Sequence, residues 1–236
     1  MSSSLILLAA GSGRRMADEV ADKILAPLNG MPALCYSLRA FQESALIDTI
    51  TVVYRDDAQK TALEEAVLQT TIHIDSILWV QGGSERQNSV ENALAAQPAD
   101  CQYVFIHDAA RPAITSTAIQ ALNQAVRHSG AAVLAHAITD TIKRIPEAGQ
   151  LTSTTLEDLD RSRLWAMETP QAFNYTKILK AYQHVRANNL QITDDTAAAA
   201  SIGLGTTIVP NNQPNPKLTT PADLADIEHL LKERRV

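Results

Sequence analysis

Cysteine is nearly missing from this chain: two residues in 236, Cys35 and Cys101, far apart and with no His or Cys at metal-ligand spacing beside either. A disulfide scaffold, a zinc finger and an iron–sulfur protein are poor readings, and a reducing compartment is the natural expectation. Aromatic residues make up only 4% of the sequence, so aliphatic residues and alanine must fill the core of a chain that is 45% hydrophobic. Basic residues are in the minority, 20 Lys+Arg against 26 Asp+Glu, for a formal net charge of −6. A general nucleic-acid binder needs a basic surface to neutralise phosphates, so no nucleic-acid partner is expected. No apolar run nears the ~20 residues that span a bilayer. The stretch 5–10 is too short for a signal-peptide core, and no basic residue precedes it. The expectation is a soluble, cytoplasmic protein without a membrane partner. Any anion site must be built locally, against the global charge.

What is present is a rhythm of short apolar runs at 5–9 (LILLA), 50–54 (ITVVY), 77–80 (ILWV), 103–107 (YVFIH) and 131–135 (AAVLA). They are continuous rather than alternating, as expected of strands covered on both faces of a parallel sheet. Between them, 33–44, 57–69, 86–97 and 115–128 carry apolar residues at three- and four-residue spacing, the mark of amphipathic helices. This alternation predicts a doubly wound, mostly parallel α/β sheet, Rossmann-like, with ligands at the C-terminal strand ends. The rhythm breaks at 138–168, where strand-like pieces at 141–145 and 151–156 flank a turn signal at 146–149. A projecting β-hairpin arm fits that stretch, and an arm too small for its own core needs a partner surface. Helix–strand alternation resumes at 175–187, 193–201, 206–209 and 221–232. Residues 1–236 therefore read as a single domain, with 138–168 as its arm.

Four of the nine glycines fall in two clusters, each just after an apolar run: Gly11 and Gly13, then Gly82 and Gly83. Small residues let backbone N–H groups approach an anion, and Arg14, Arg15 and Lys23 add positive charge after the first cluster. An ordinary tight turn with surface arginines is an equally good reading of that spacing alone. Met16 stands where a dinucleotide fingerprint needs its last glycine, and no GK[ST] is present, so both a Rossmann oxidoreductase and a P-loop enzyme are disfavoured. In the second cluster Ser84 and Gln87 resemble a capping box, and strand exit plus helix cap is the blander account. The third signal, His107-Asp108-Ala109-Ala110-Arg111-Pro112, ends a strand. An Asp there can hold Mg²⁺ through one carboxylate, or simply pair with Arg111; His107 reads as a packed residue. Thr193 reads as a helix cap before an acidic first turn, and Arg234 as part of a frayed tail.

Together these segments resemble the 2-C-methyl-D-erythritol 4-phosphate cytidylyltransferases of the non-mevalonate isoprenoid pathway. The resemblance is carried in order by Ala9-Ala10-Gly11-x-Gly13-x-Arg15-Met16, Lys23, Gly82-Gly83, Ser89-Val90 and the His107–Pro112 motif. It continues through Asp140-Thr141-x-Lys143, Arg161, Thr169-Pro170-Gln171, Thr193-Asp194-Asp195 and Asn215-x-Lys217. It implies transfer of CMP from CTP to a sugar-alcohol phosphate with release of pyrophosphate. It further implies that Ala9, Ala10, Gly11, Gly13, Gly83, Ser89 and Ala109 line the CTP pocket and that Asp108 positions Mg²⁺. Arg15 and Lys23 would stabilise the transition state, with Lys217 helping. Thr141 and Arg161, with Arg111 and Thr193, would hold the substrate phosphate, the arm reaching across a homodimer.

The chemistry agrees with the absence of any Ser/His/Asp signature. The attacking group is already an anion, so positioning and cations, rather than a base, address the barrier. A ribitol 5-phosphate cytidylyltransferase would use the same CTP machinery and is the nearest rival. A catalytically silent nucleotide-binding relative needs none of the cations.

Overall fold

The computed structural model describes residues 2–11, 22–68, 77–147, 149 and 153–234. The chain opens with β1 (Ser2–Leu8), a small hairpin of β2 (Pro27–Leu28) and β3 (Met31–Pro32), and α1 (Ala33–Ser44). It continues through β4 (Thr49–Tyr54), α2 (Asp57–Leu68), β5 (Ile77–Gln81), α3 (Arg86–Ala95), β6 (Cys101–Asp108), α4 (Ser116–Ser129) and β7 (Ala131–Ala137). Two short strands follow, β8 (Lys143–Arg144) and β9 (Glu157–Asp158), then β10 (Trp165–Asn174). The last elements are α5 (Tyr175–Ala187), α6 (Asp195–Ser201), β11 (Thr207–Pro210) and α7 (Ala222–Glu233).

Seven strands form one sheet in the order β11-β7-β10-β6-β1-β4-β5. All pairings are parallel except those of β10, which runs antiparallel to both β6 and β7. The continuous apolar runs have the cause expected of them. Leu5 and Leu7 of β1 pack under α1, α4 and α7 with Phe41 and Phe105. Ile6, between them, faces the opposite layer with Val90 of α3, Tyr182 of α5 and Ala198 of α6. Two helical layers thus cover one sheet, and few aromatics are needed because alanines such as Ala132, Ala172 and Ala199 let helices and strands approach closely. Helix α4 shows how local signals set its limits. The Thr115 hydroxyl accepts the Ala118 N–H (3.2 Å) at its start, and Gly130 adopts φ 85° at its end, a conformation that favours glycine. Among the described residues no helix is long and apolar enough to cross a membrane, and both cysteines are buried outside any disulfide.

Several expectations are corrected. The strand β10 carries no apolar run at its centre and was not foreseen from the sequence. Its register jumps from Met167 opposite Ala135 to Gln171 opposite Val133, so a bulge places Glu168, Thr169 and Pro170. In the 138–168 stretch the expected strands at 141–145 and 151–156 shrink and move: Lys143 pairs with Asp158 and Arg144 with Glu157. Of the expected second strand, 151–152 lie outside the described residues and 153–156 are not in a strand. Helix α3 begins at Arg86, and it is Asn88, not Gln87, that reaches back, accepting the Glu85 N–H (3.2 Å). Asp194, not Thr193, caps α6 by accepting the Ala197 N–H (2.9 Å), because a carboxylate one residue nearer the helix meets its free amides. Arg234 is tied down by the carbonyls of Ala113 and Pro214 rather than frayed.

Candidate active site

The parallel strands end at one edge, and the site lies along it. Leu8 stands opposite Asp108, and the chain beyond each strand stays in register: Ala9 donates to Val53, Ala109 to Leu8 and Gly82 to Tyr54. This is the edge where doubly wound sheets bind ligands. A cleft of about 440 Å³ opens there. Ala9, Ala10 and Gly11 form one wall, Gly83, Ser84 and Ser89 another, and Lys23, Arg55, Arg86 and Lys217 bring positive charge.

The second glycine pair is required by packing. A Cβ on Gly82 would lie 2.8 Å from the Ala10 Cβ and 2.9 Å from the Ser89 hydroxyl, and one on Gly83 would collide with Asn88. The Ser89 hydroxyl accepts the Gly83 N–H (3.0 Å) and donates to the Glu85 carbonyl (3.1 Å), tying the turn to α3. The bland reading of this cluster, strand exit and helix start, holds. The turn is a helix start, and its tight packing makes a wall of the cleft.

Asp108 is the anion at the centre. Its N–H donates to the Thr169 hydroxyl (3.0 Å), and its carboxylate accepts the Lys217 ammonium at 2.6 Å. The Arg86 Nε stands 3.8 Å from the other oxygen. Burial pushes the Asp108 carboxyl up, but Lys217 and then Arg86 prevail and hold it at about 2, so it is ionised at neutral pH. His107 beside it is fully buried, and that burial pulls its pKa down to about 4. The Arg111 carbonyl (3.2 Å) can only accept, so we assign the proton to Nε2; Nδ1 then accepts from the Thr169 hydroxyl (3.0 Å). His107 is a structural link between α1, β6 and β10, as its sequence position suggested.

Arg55 and Arg86 were missed in the sequence. Arg86 is held by Asp195, fully buried at the start of α6, through two bonds of 3.0 and 2.7 Å. Tyr182 donates to the same carboxylate at 2.5 Å; burial first and Asp195 next keep its phenol protonated. No spacing rule connects residues 109 positions apart. Arg55 follows the end of β4 and pairs with Asp56 and Asp22. Its place just beyond a strand end was the one available signal.

A second cavity, about 540 Å³, adjoins the first and is lined by Arg111, His136, Glu168, Asn211, Asn215 and Lys217. Lys217 lines both. The chain matches the family model of 2-C-methyl-D-erythritol 4-phosphate cytidylyltransferase over residues 4–233. It belongs to that family. It is 38% identical over 233 residues to the 2-C-methyl-D-erythritol 4-phosphate cytidylyltransferase of a Synechococcus sp., covering 98% of this chain and 97% of that one. The Desulforamulus reducens protein of the same name is 34% identical over 229 residues, covering 97% and 95%. Among solved structures, the Francisella tularensis 2-C-methyl-D-erythritol 4-phosphate cytidylyltransferase superposes with a TM-score of 0.79 at 28% identity, covering 98% of this chain and all of that one. The Anaerococcus prevotii 4-diphosphocytidyl-2C-methyl-D-erythritol synthase gives 0.83 at 24% identity, covering 98% and 96%, a likeness of fold.

Of the residues that the family resemblance singled out, the cleft brings together Ala9, Ala10, Gly11, Lys23, Gly83, Ser89, Asp108 and Lys217. Lys23 donates to the Leu218 carbonyl (3.0 Å), which fixes it against the Lys217 segment. Ala109 is buried beneath the cleft, its backbone bonded to Leu8. Arg111 faces the second cavity. Thr141, Arg161 and Thr193 are exposed and line neither cavity. Arg14, Arg15 and Gly13 lie outside the described residues.

Proposed function

We infer that Lys217 stands between the two substrates of a cytidylyl transfer. The chain is a nucleotidyltransferase that joins CTP and 2-C-methyl-D-erythritol 4-phosphate into 4-diphosphocytidyl-2-C-methyl-D-erythritol, with release of pyrophosphate, in isoprenoid precursor biosynthesis. The observation that carries the arrangement is that Lys217 lines both cavities while paired to Asp108. The triphosphate occupies the first, against the small-residue wall and the cations. The polyol phosphate occupies the second, beside Arg111.

An oxygen of the 4-phosphate attacks the α-phosphorus of CTP. A new P–O–P link forms as the bond to the β-phosphate bridging oxygen breaks, and the electron pair leaves with pyrophosphate. The nucleophile is already ionised, so no proton has to be removed. Lys23 and Lys217, with Arg15, hold the charge that develops; one such group at the reacting centre is worth ~3–4 kcal/mol of transition-state stabilisation. Asp108 fits a Mg²⁺ role. It is an ionised carboxylate at a strand end, and no group of three acidic, His or Cys side chains surrounds it among the described residues, a donor set that leaves most positions to phosphate and water. When bound, Mg²⁺ would neutralise triphosphate charge.

The segment 138–168 serves as an arm. Thr141 and Arg161 are exposed on it, as are Ile142 and Leu156, and a second copy of the chain is the partner that would bring those groups to a cleft. The active form is then a homodimer in which each arm grips the polyol phosphate of its neighbour. Two buried thiols outside any disulfide suit the reducing cytoplasm. With Mg²⁺, purified protein is expected to release pyrophosphate from CTP only when 2-C-methyl-D-erythritol 4-phosphate is added. Turnover of ribitol 5-phosphate in its place would overturn the substrate assignment.

A further inference from the structure

Three carboxylates are buried among the described residues: Asp108, Asp195 and Glu168. The first two face Lys217 and Arg86, each a cation of the cleft. Among the described residues Glu168 forms no ion pair with a lysine or arginine, although Arg111 shares its cavity and feels its charge. Its Oε1 lies 2.7 Å from Nδ1 of the half-exposed His136, and its Oε2 accepts from the Asn211 amide (2.9 Å) and the Asn215 amide (3.0 Å). Burying a carboxylate is costly unless donors surround it, so this side chain is a poor choice for filling space. What it does is fasten two points of the segment 211–217, which has no regular secondary structure and carries Lys217.

The bulge in β10 explains how one short stretch reaches both halves of the site. Thr169 meets the Asp108 N–H, while Glu168, next to it, turns to the 211–217 loop. The Asn215 amide bonds both Glu168 and the Thr169 carbonyl (2.9 Å). From the other side, Arg111 donates to the Asn215 carbonyl at 2.6 Å. Two residues on, the Lys217 ammonium meets Asp108. A lysine has a long flexible stem, and its charge stays in place only if the backbone beneath it is fixed.

We propose that Glu168 is a positioning residue for cytidylyl transfer: it gathers Asn211 and Asn215 so that the 211–217 loop presents Lys217 at the seam between the two cavities. Glu168 acts through Lys217, so the inference rests on the role given to Lys217 above.

The test is a double-mutant cycle on the full chain with CTP, Mg²⁺ and 2-C-methyl-D-erythritol 4-phosphate, read beside limited trypsin cleavage after Lys217. Lys217→Ala is expected to lower kcat by ~10²–10³-fold. Glu168→Ala should lower kcat by ~10-fold or more with a smaller change in KM for CTP, since it loosens positioning rather than the CTP walls. It should also speed cleavage after Lys217. Glu168→Gln should recover most of the loss, because its amide oxygen still accepts from both asparagines. The double variant E168A/K217A should be slower than K217A by no more than ~3-fold, because both act through one group. Should E168A fail to fold, Asn211→Ala takes its place, with a smaller loss that is again absent in the K217A background. Additive losses would assign Glu168 a purely structural role and overturn the proposal. A normal kcat in E168A beside a crippled K217A would overturn the clasp and leave the Lys217 reading intact. Full activity in K217A would overturn the Lys217 reading itself, and this inference with it.

Discussion

At the ends of β1, β4, β5 and β6, Asp108, Arg86 and Ser89 are each held by a partly buried neighbour, whereas the side-chain bonds among the described residues between 138 and 164 are all exposed. Asp108 is fixed at its backbone by Thr169 and at its carboxylate by Lys217, and Arg86 is clamped by Asp195. Among its described residues the 138–164 stretch has a ladder of two residue pairs and two exposed ion pairs, Lys143–Asp158 and Arg144–Glu157. Exposed pairs of that kind contribute little, and a ladder that short does not stand alone. The cleft is organised within one chain. The paired side chains of the 138–164 stretch are exposed, and the arm proposed above would gain its function against a second copy.

Four substitutions sharpen that contrast. Lys217→Ala belongs to the organised half and should have the largest effect, ~10²–10³-fold in kcat. Its own side chain is 42% exposed, but its loss leaves buried Asp108 with Arg86 alone, so the melting temperature should fall while kcat falls far more; equal loss of both would demote it to a structural residue. Arg161→Ala belongs to the arm and should raise KM for the polyol phosphate by ~10-fold or more through loss of a charged hydrogen bond, with KM for CTP and the melting temperature unchanged. A shift in CTP affinity would place Arg161 in the cleft instead.

A third experiment reads the buried edge by pH. His107 has its folded pKa at about 4, below the ordinary 6.5, so the native state keeps it neutral while the unfolded chain takes up a proton. Its contribution is full above pH 6.5 and is lost as pH falls through 4, on the order of 3 kcal/mol in all. Denaturant unfolding without metal should show that decline, and His107→Gln should flatten it. An unchanged slope would mean that His107 is not the group responsible. The smallest effect is expected at the arm: Lys143→Ala should change unfolding free energy by no more than ~0.5 kcal/mol, since it removes an exposed pair. A larger loss would show that the arm stabilises its own chain.

The same contrast explains what could be read from the sequence. Strands with continuous apolar runs and helices with regular spacing were legible because burial on both faces of the sheet dictates them. Gly11, the Gly82-Gly83 pair and the Asp108 motif were legible because they follow such strands. The strand β10 was not, since Glu168, Thr169, Pro170 and Gln171 interrupt its apolar character; Glu168 and Thr169 are buried against Asn211, Asn215 and Asp108, and Gln171 against the start of α6, polar partners that no core pattern announces. Arg86 and Asp195 were equally hidden. In the sequence Asp195 is the second of two adjacent acids at a helix start, and only the packing of α6 against α3 and α5 distinguishes the buried one from the cap. The 138–168 stretch was legible as a break in rhythm, but its strand pairing moved, because two ladder steps are set by local turns and charges rather than by a core.

The central claim, that one chain supplies the organised cleft and its partner the arm, is tested by mixing two variants. K217A has an intact arm and a disabled cleft; R161A has the reverse. Alone, each should be nearly inactive at low polyol phosphate. Co-refolded in equal amounts, half of the dimers are mixed, and each of those holds one native site, so about a quarter of wild-type activity should return. No recovery, with mixed dimers demonstrated in the sample, would show that arm and cleft act within one chain.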